Sequence, residues 1–110
     1  EPGRMAEKSP KRLKLEESLR DDPSDPFLRY GLAMQCLREG DADEGRERLK
    51  ALVADRPDEV AAYQQLGQSY AESEEFAEAS EWLRAGIARA RATGDAHAAA
   101  EMEGLLESLD

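Results

Sequence analysis

Chemistry in this chain would have to start from one cysteine, Cys36, and one histidine, His97. Thiolate catalysis needs a base beside the sulfur, and no His or Asp stands with Cys36 in a recognisable motif. Cys36 therefore reads as a small buried residue. A zinc site needs several ligands at close spacing, and His97 has no second His and no cysteine pair for company. It reads as a solvated residue opening the last helix. With no nucleophile and base, no metal constellation and no glycine-rich phosphate loop, the sequence predicts a non-catalytic protein without a cofactor or metal. The carboxylate run Glu72, Glu74, Glu75, Glu78 and Glu81 reads as a solvated face, or in a sharper alternative as a field that steers a basic partner.

Composition narrows the class further. At 110 residues the chain suits one domain, which buries roughly two-thirds of the surface of its unfolded form. Apolar residues make up 40% and aromatics only 5%, and the recurring Ala, Glu and Leu favour helices. Net charge is −10, unevenly spread: residues 1–20 carry six Lys/Arg against four Asp/Glu, and residues 21–110 carry nine against 21. An acidic body argues against nucleic acid as a partner, since phosphate binding needs a cationic footprint. No apolar run is long enough to span a bilayer and no export signal opens the chain, so the expectation is a soluble cytoplasmic protein, not membrane-bound. A lone cysteine agrees with a reducing compartment. Residues 1–4 precede Met5 and read as a cloning remnant, and residues 1–9 as a flexible N-terminus.

The elements follow from breakers and caps. Ser9 caps and Pro10 opens a helix that runs to about Arg20. Its apolar residues are only Leu13, Leu15 and Leu19, so it needs a neighbour to pack on. Asp22-Pro23-Ser24-Asp25-Pro26 ends it and starts a second helix, about Pro26 to Arg38, with Asp25 as cap. Gly40 supplies a left-handed turn, and Asp41 with Glu44 has the spacing of a capping box for a third helix to about Asp55. Arg56-Pro57-Asp58 repeats the stop and start. A fourth helix is expected over about 59–72, a turn at Ser73-Glu74, and a fifth helix to about Ala92. Gly94 and Asp95 then break and cap the last, about 96–108. Loops this short make sequential helices antiparallel neighbours.

Shifting the chain by 34 residues against itself superposes Pro23 on Pro57, Leu15 on Leu49 and then Leu83, and Leu19 on Val53 and then Ile87. Tyr63, Leu66, Gly67, Tyr70, Ala79 and Leu83 stand at the offsets of an aromatic, x-x-Leu-Gly-x-x-Tyr and Ala-x-x-x-Phe pattern. In these residues the chain resembles the tetratricopeptide repeat family, with Tyr63 in the tryptophan slot and Leu83 in the phenylalanine slot. The resemblance implies an all-α fold: helix–turn–helix repeats stacked as a short right-handed superhelix of about six antiparallel helices. Residues 10–22 read as a half repeat, 26–57 and 60–91 as repeats, and 95–109 as a capping helix, together a single domain over 10–110. The last helix aligns only after a two-residue slip, which brings Ala99, Met102 and Leu106 into line with Tyr63, Leu66 and Tyr70. Gly67 and Ala79 are expected where paired helices cross closely, with Leu66, Tyr70, Leu83 and Ile87 filling the space between.

In this family the first helix of each pair lines a concave groove and meets the ligand. On the second helix that face carries Phe27, Tyr30, Met34 and Leu37, with Arg38 the nearby cation; on the fourth it carries Gln64 and Gln68. The plainer alternative is that Phe27 and Tyr30 pack on the first helix as core. The family's carboxylate-clamping members use Lys, Asn and Arg here, and this face lacks them, which argues against such a clamp. The resemblance thus implies a protein-interaction module that holds a peptide or helical segment of another protein. A homodimer or other homo-oligomerisation element, or a regulatory subunit of an enzyme complex, are the alternatives. Trp82, beside core Leu83, is expected either at an interface rim or against the last helix.

Overall fold

The computed structural model describes residues 7–109, so the expected remnant 1–4 and most of the expected flexible segment 1–9 lie outside the described residues. Glu7 to Ser9 are non-helical. Six helices follow, with no strand among the described residues: α1 (Pro10–Asp21), α2 (Pro26–Arg38), α3 (Ala42–Asp55), α4 (Val60–Glu72), α5 (Phe76–Ala92) and α6 (Ala96–Ser108).

Several starts are made by the capping chemistry the sequence announces. Ser9 Oγ accepts from Arg12 N–H at 3.0 Å, Asp25 from the N–H groups of Phe27 and Leu28, and Asp95 from that of Ala98 at 3.0 Å. Asp41 accepts from Glu44 N–H at 3.4 Å, the first half of a capping box; the Glu44 carboxylate turns instead to Arg12 and Arg48. Glu59 and Glu75 precede α4 and α5 without a side-chain cap bond. Gly40 and Gly94 end their helices at φ 84° and 78°. At the equivalent turn 34 residues after Gly40, Glu74 holds φ 59°, a strained position for a residue with a Cβ.

The helices fall into two compact units, dividing at Arg48 and Leu49 within α3. In the first, α1 lies on α2, with Leu15 within contact of Gly31. Leu32, Ala33 and Cys36 of α2 are fully buried. α3 approaches α2 at Gly45, where an added Cβ would fall 2.6 Å from Leu37 Cδ2 and 3.1 Å from the Ala33 carbonyl. Only a residue without a side chain permits that crossing.

In the second unit α4 packs on α5 and α5 on α6. A Cβ on Gly67 would fall 2.5 Å from Leu83 Cδ2, and one on Gly86 would fall 2.6 Å from Met102 Sδ and 2.7 Å from Tyr63 Cβ. The glycines bring the helices close, and Leu83, Ile87, Ala90, Ala99 and Met102 close over the space as one apolar cluster. Tyr63 fills its slot with its ring 6.2 Å from that of Trp82, and its hydroxyl donates to the Pro57 carbonyl at 2.9 Å. Trp82 therefore packs toward α4, where the sequence pointed to a rim or to the last helix.

Candidate functional site

α2 presents the predicted face. Asp25 and Pro26 fix the start of the helix, so Phe27 stands in its first turn, and Tyr30 and Met34 follow at helical spacing. Phe27 is 89% exposed, which overturns its reading as core against the first helix. Tyr30 and Met34 are half-buried. Leu37, expected in the same stripe, is half-buried and lies against Gly45 of α3. Arg38 is exposed at the helix end and donates to Gln35 Oε1 at 3.1 Å. In the second unit Gln64 is half-buried and Gln68 exposed on α4.

A large ring in water is the informative observation here, because an aromatic side chain loses free energy by staying exposed. Scattered apolar residues on a surface need no account, but Phe27 continues directly into Tyr30 and Met34 along one helix face. The remaining residues singled out in the sequence are solvated or internal. His97 is exposed, with Nε2 2.9 Å from Glu101 one turn on. Glu72, Glu74, Glu75, Glu78 and Glu81 are all exposed.

Sequence reasoning missed Arg12. It is only 3% exposed, the one residue that α1 buries, and its guanidinium faces four carboxylates. Asp41 Oδ2 lies 2.8 Å and Glu44 Oε1 3.0 Å from Nη2, with Glu39 at 3.6 Å from Nη1 and Glu16 at 3.8 Å from Nε. The bond to Asp41 is the main reason the Arg12 pKa is raised above its usual value. Glu39 accepts from Ser9 Oγ and, at 2.8 Å, from Gln35 Nε2; with the charge of Arg12 these hold its carboxyl down at about 2. Glu44 is held low chiefly by the Arg48 bond at 2.9 Å. Cys36 donates to Glu44 at 3.6 Å, and burial pushes its thiol up to about 11, far from the thiolate a nucleophile needs. The cluster ties α1 to the turn between α2 and α3. Its signal in the sequence was Glu39, Asp41 and Glu44 crowded around Gly40, a turn that needs a cation from elsewhere.

The fold is an all-helical repeat, and the comparisons with known proteins name its family. A tetratricopeptide repeat model matches residues 13–68 and again 37–102. The chain is 32% identical over 96 residues to a TPR repeat-containing protein of Pseudomonas aeruginosa, covering 87% of this chain and 91% of that one. It is similar to the solution structure of a tetratricopeptide repeat domain protein from Salinibacter ruber, with TM-score 0.76, 30% identity, and coverage of 81% of this chain and 90% of the other. A solution structure of a Bordetella parapertussis protein shares the fold at TM-score 0.81 and 23% identity, over 92% of this chain and 88% of that one. The chain belongs to the tetratricopeptide repeat family, whose fold is generally a non-catalytic protein–protein interaction module. No helix among the described residues is long and apolar enough to cross a membrane.

Proposed function

We propose that this chain binds a peptide or helical segment of another protein on the α2 face formed by Phe27, Tyr30 and Met34. The exposure of Phe27 carries the reading: a ring that is 89% accessible at the head of an apolar stripe is the anchor such a segment would cover. Arg38, one turn beyond Met34, supplies a single cation at the end of the stripe, too few for a carboxylate clamp. In the second unit, and separately from this face, the Gln64 and Gln68 amides of α4 suit hydrogen bonds to a peptide backbone. A reducing, cytoplasmic setting suits the free buried thiol of Cys36.

The test starts from affinity capture in the source cell, followed by calorimetry with the purified binding segment. Tyr30→Ala with Met34→Ala should weaken that segment's binding by about thirtyfold or more, the effect of losing hot-spot contacts. Far-UV circular dichroism and the melting temperature should stay near those of the parent. Undiminished affinity in the folded double variant rejects the α2 face.

A further inference from the structure

We propose that a hollow bordered by α1, α2 and α3 in the first unit receives an aromatic side chain of a partner protein segment, one that carries an acidic residue next to the ring. The site is separate from the face described above. Leu32, which forms part of its floor, is fully buried and turned about 140° around α2 from exposed Phe27.

The second unit has a ring where the first has none. There the Tyr63 ring lies 6.2 Å from that of Trp82, and its hydroxyl donates to the Pro57 carbonyl at 2.9 Å. Shifted back by 34 residues, Tyr63 becomes Arg29, Trp82 becomes Arg48 and Pro57 becomes Pro23. The aromatic pair of one repeat is a pair of arginines in the other. Leu66 and Val53 keep their apolar kind as Leu32 and Leu19. Pro23, Arg48, Leu32 and Leu19, together with Glu16 and Arg20, line a hollow of about 460 Å³. It therefore lies against the counterparts of Pro57 and Trp82, the two partners of the Tyr63 ring. The rings that the first unit does possess, Phe27 and Tyr30, stand on the opposite face of α2.

The lining sets the chemistry of the occupant. Leu19, Leu32 and Pro23 are apolar and suit a ring. Of the charges, Glu16 is already held by Lys8 at 2.8 Å and lies 3.8 Å from Arg12. Arg48 gives its Nε to Glu44 at 2.9 Å, and its Nη groups make no hydrogen bond among the described residues. Arg20 has no ion pair among the described residues. The charge left over is cationic. A guanidinium in the place of Trp82 stacks on the face of a ring, and the second guanidinium takes a carboxylate beside that ring. A tyrosine fits best, since Pro23 offers the counterpart of the carbonyl that Tyr63 uses.

The probe is the capped peptide acetyl-Gly-Tyr-Glu-Gly-amide, titrated into the full chain and followed by the side-chain methyl signals of Leu19, Leu32 and Met34. Leu19 and Leu32 should shift saturably while Met34, on the other face, stays in place. A peptide with Leu for its Tyr, or Gln for its Glu, should bind about tenfold more weakly, the scale of one lost stacking or charge-assisted contact. Arg20→Gln should weaken the Tyr-Glu peptide by the same factor and make the Glu and Gln peptides equivalent. Arg29→Tyr with Arg48→Trp gives the first unit the ring pair of the second; it should abolish the Leu19 and Leu32 shifts with the circular dichroism of the parent retained. Arg20→Gln decides the matter if that double variant does not fold. Absence of saturable shifts at Leu19 and Leu32, shifts centred on Met34, or equal affinity for all three peptides overturns the proposal. Undiminished binding in Arg20→Gln, or in a folded Arg29→Tyr/Arg48→Trp chain, overturns it equally.

Discussion

α6 buries Ala99 and Met102 against Leu83, Ile87 and Ala90 of α5, whereas α1 buries one residue, Arg12, among the carboxylates of Glu16 on its own helix, Glu39 and Asp41 at the turn between α2 and α3, and Glu44 in α3. They are the first and last helices among the described residues and of about the same length, α6 lying chiefly on α5 and α1 chiefly on α2. Apolar burial is non-directional and does not depend on protonation. The Arg12 arrangement is directional and titratable, and it repays the cost of removing a guanidinium from water only while its partners stay charged. The lesson is that two helices of one repeat protein can be fastened by different physics. The α1 end should be the conditional one.

The comparison breaks first at Met102. It is fully buried, with its sulfur in the space that Gly86 leaves open. Met102→Ala should cost about 2–5 kcal/mol, the range for emptying a buried site of that size. Leu66→Ala, at another fully buried position, belongs in the same range. Urea unfolding followed by Trp82 fluorescence measures both, since Trp82 lies in the second unit. An unchanged midpoint in Met102→Ala would mean that α6 is not held by its apolar face.

Arg12→Met sharpens the other side. It keeps the length and the apolar stem of the side chain and leaves Asp41, Glu39 and Glu44 facing one another without their shared cation. The loss should be below the roughly 3–5 kcal/mol of a fully buried pair, because the partner carboxylates keep 15–33% of their surface in water. Hydrogen exchange should show the α1 amides losing protection while those of α5 and α6 keep theirs. Equal loss in all three helices would remove the contrast.

How much of this was legible in the sequence follows from which interactions are periodic. The helices, their caps at Ser9, Asp25, Asp41 and Asp95, and the crossings at Gly67 and Ala79 are written in local spacing, and the structure has them there. Leu37 and Gly45 were harder, because the small residue sits on the second helix of that pair and the large one on the first. At the α4–α5 crossing the order is reversed, with Gly67 on the first helix and Leu83 on the second. A pattern keyed to Gly67 therefore assigns Leu37 to the surface stripe when it is also filling the space over Gly45. Arg12 itself was not singled out, since apart from Glu16 its partners lie about 30 residues away and one more cation on a charged helix looks solvated; only the carboxylates crowded around Gly40 signalled the cluster. Phe27 was legible as apolar but not as exposed, because a stripe at helical spacing has the same pattern whether a neighbouring helix covers it or not.

The smallest expected effect is acid sensitivity, and its direction follows from the depressed carboxyls. Glu39 is held down at about 2 against a usual 4.5, by Ser9 and Gln35 first and Arg12 after them, and Glu44 shifts the same way. A carboxyl with a depressed folded-state pKa contributes stability that is fully present above its unfolded value and lost as pH falls through its folded one. Between about pH 4.5 and 2 the unfolded chain takes up protons that the folded one resists, so the attachment of α1 weakens across that window. Above it the attachment should be flat with pH. Met102 and Ala99 do not titrate, so α6 has no such term from its buried face. Exchange protection of α1 and α6 amides, corrected for intrinsic rates, should diverge as pH is lowered through the window. If the two helices instead lose protection in parallel, the carboxylates around Arg12 are not what fastens α1, and its hold must come from the contacts of Leu15 and Leu19.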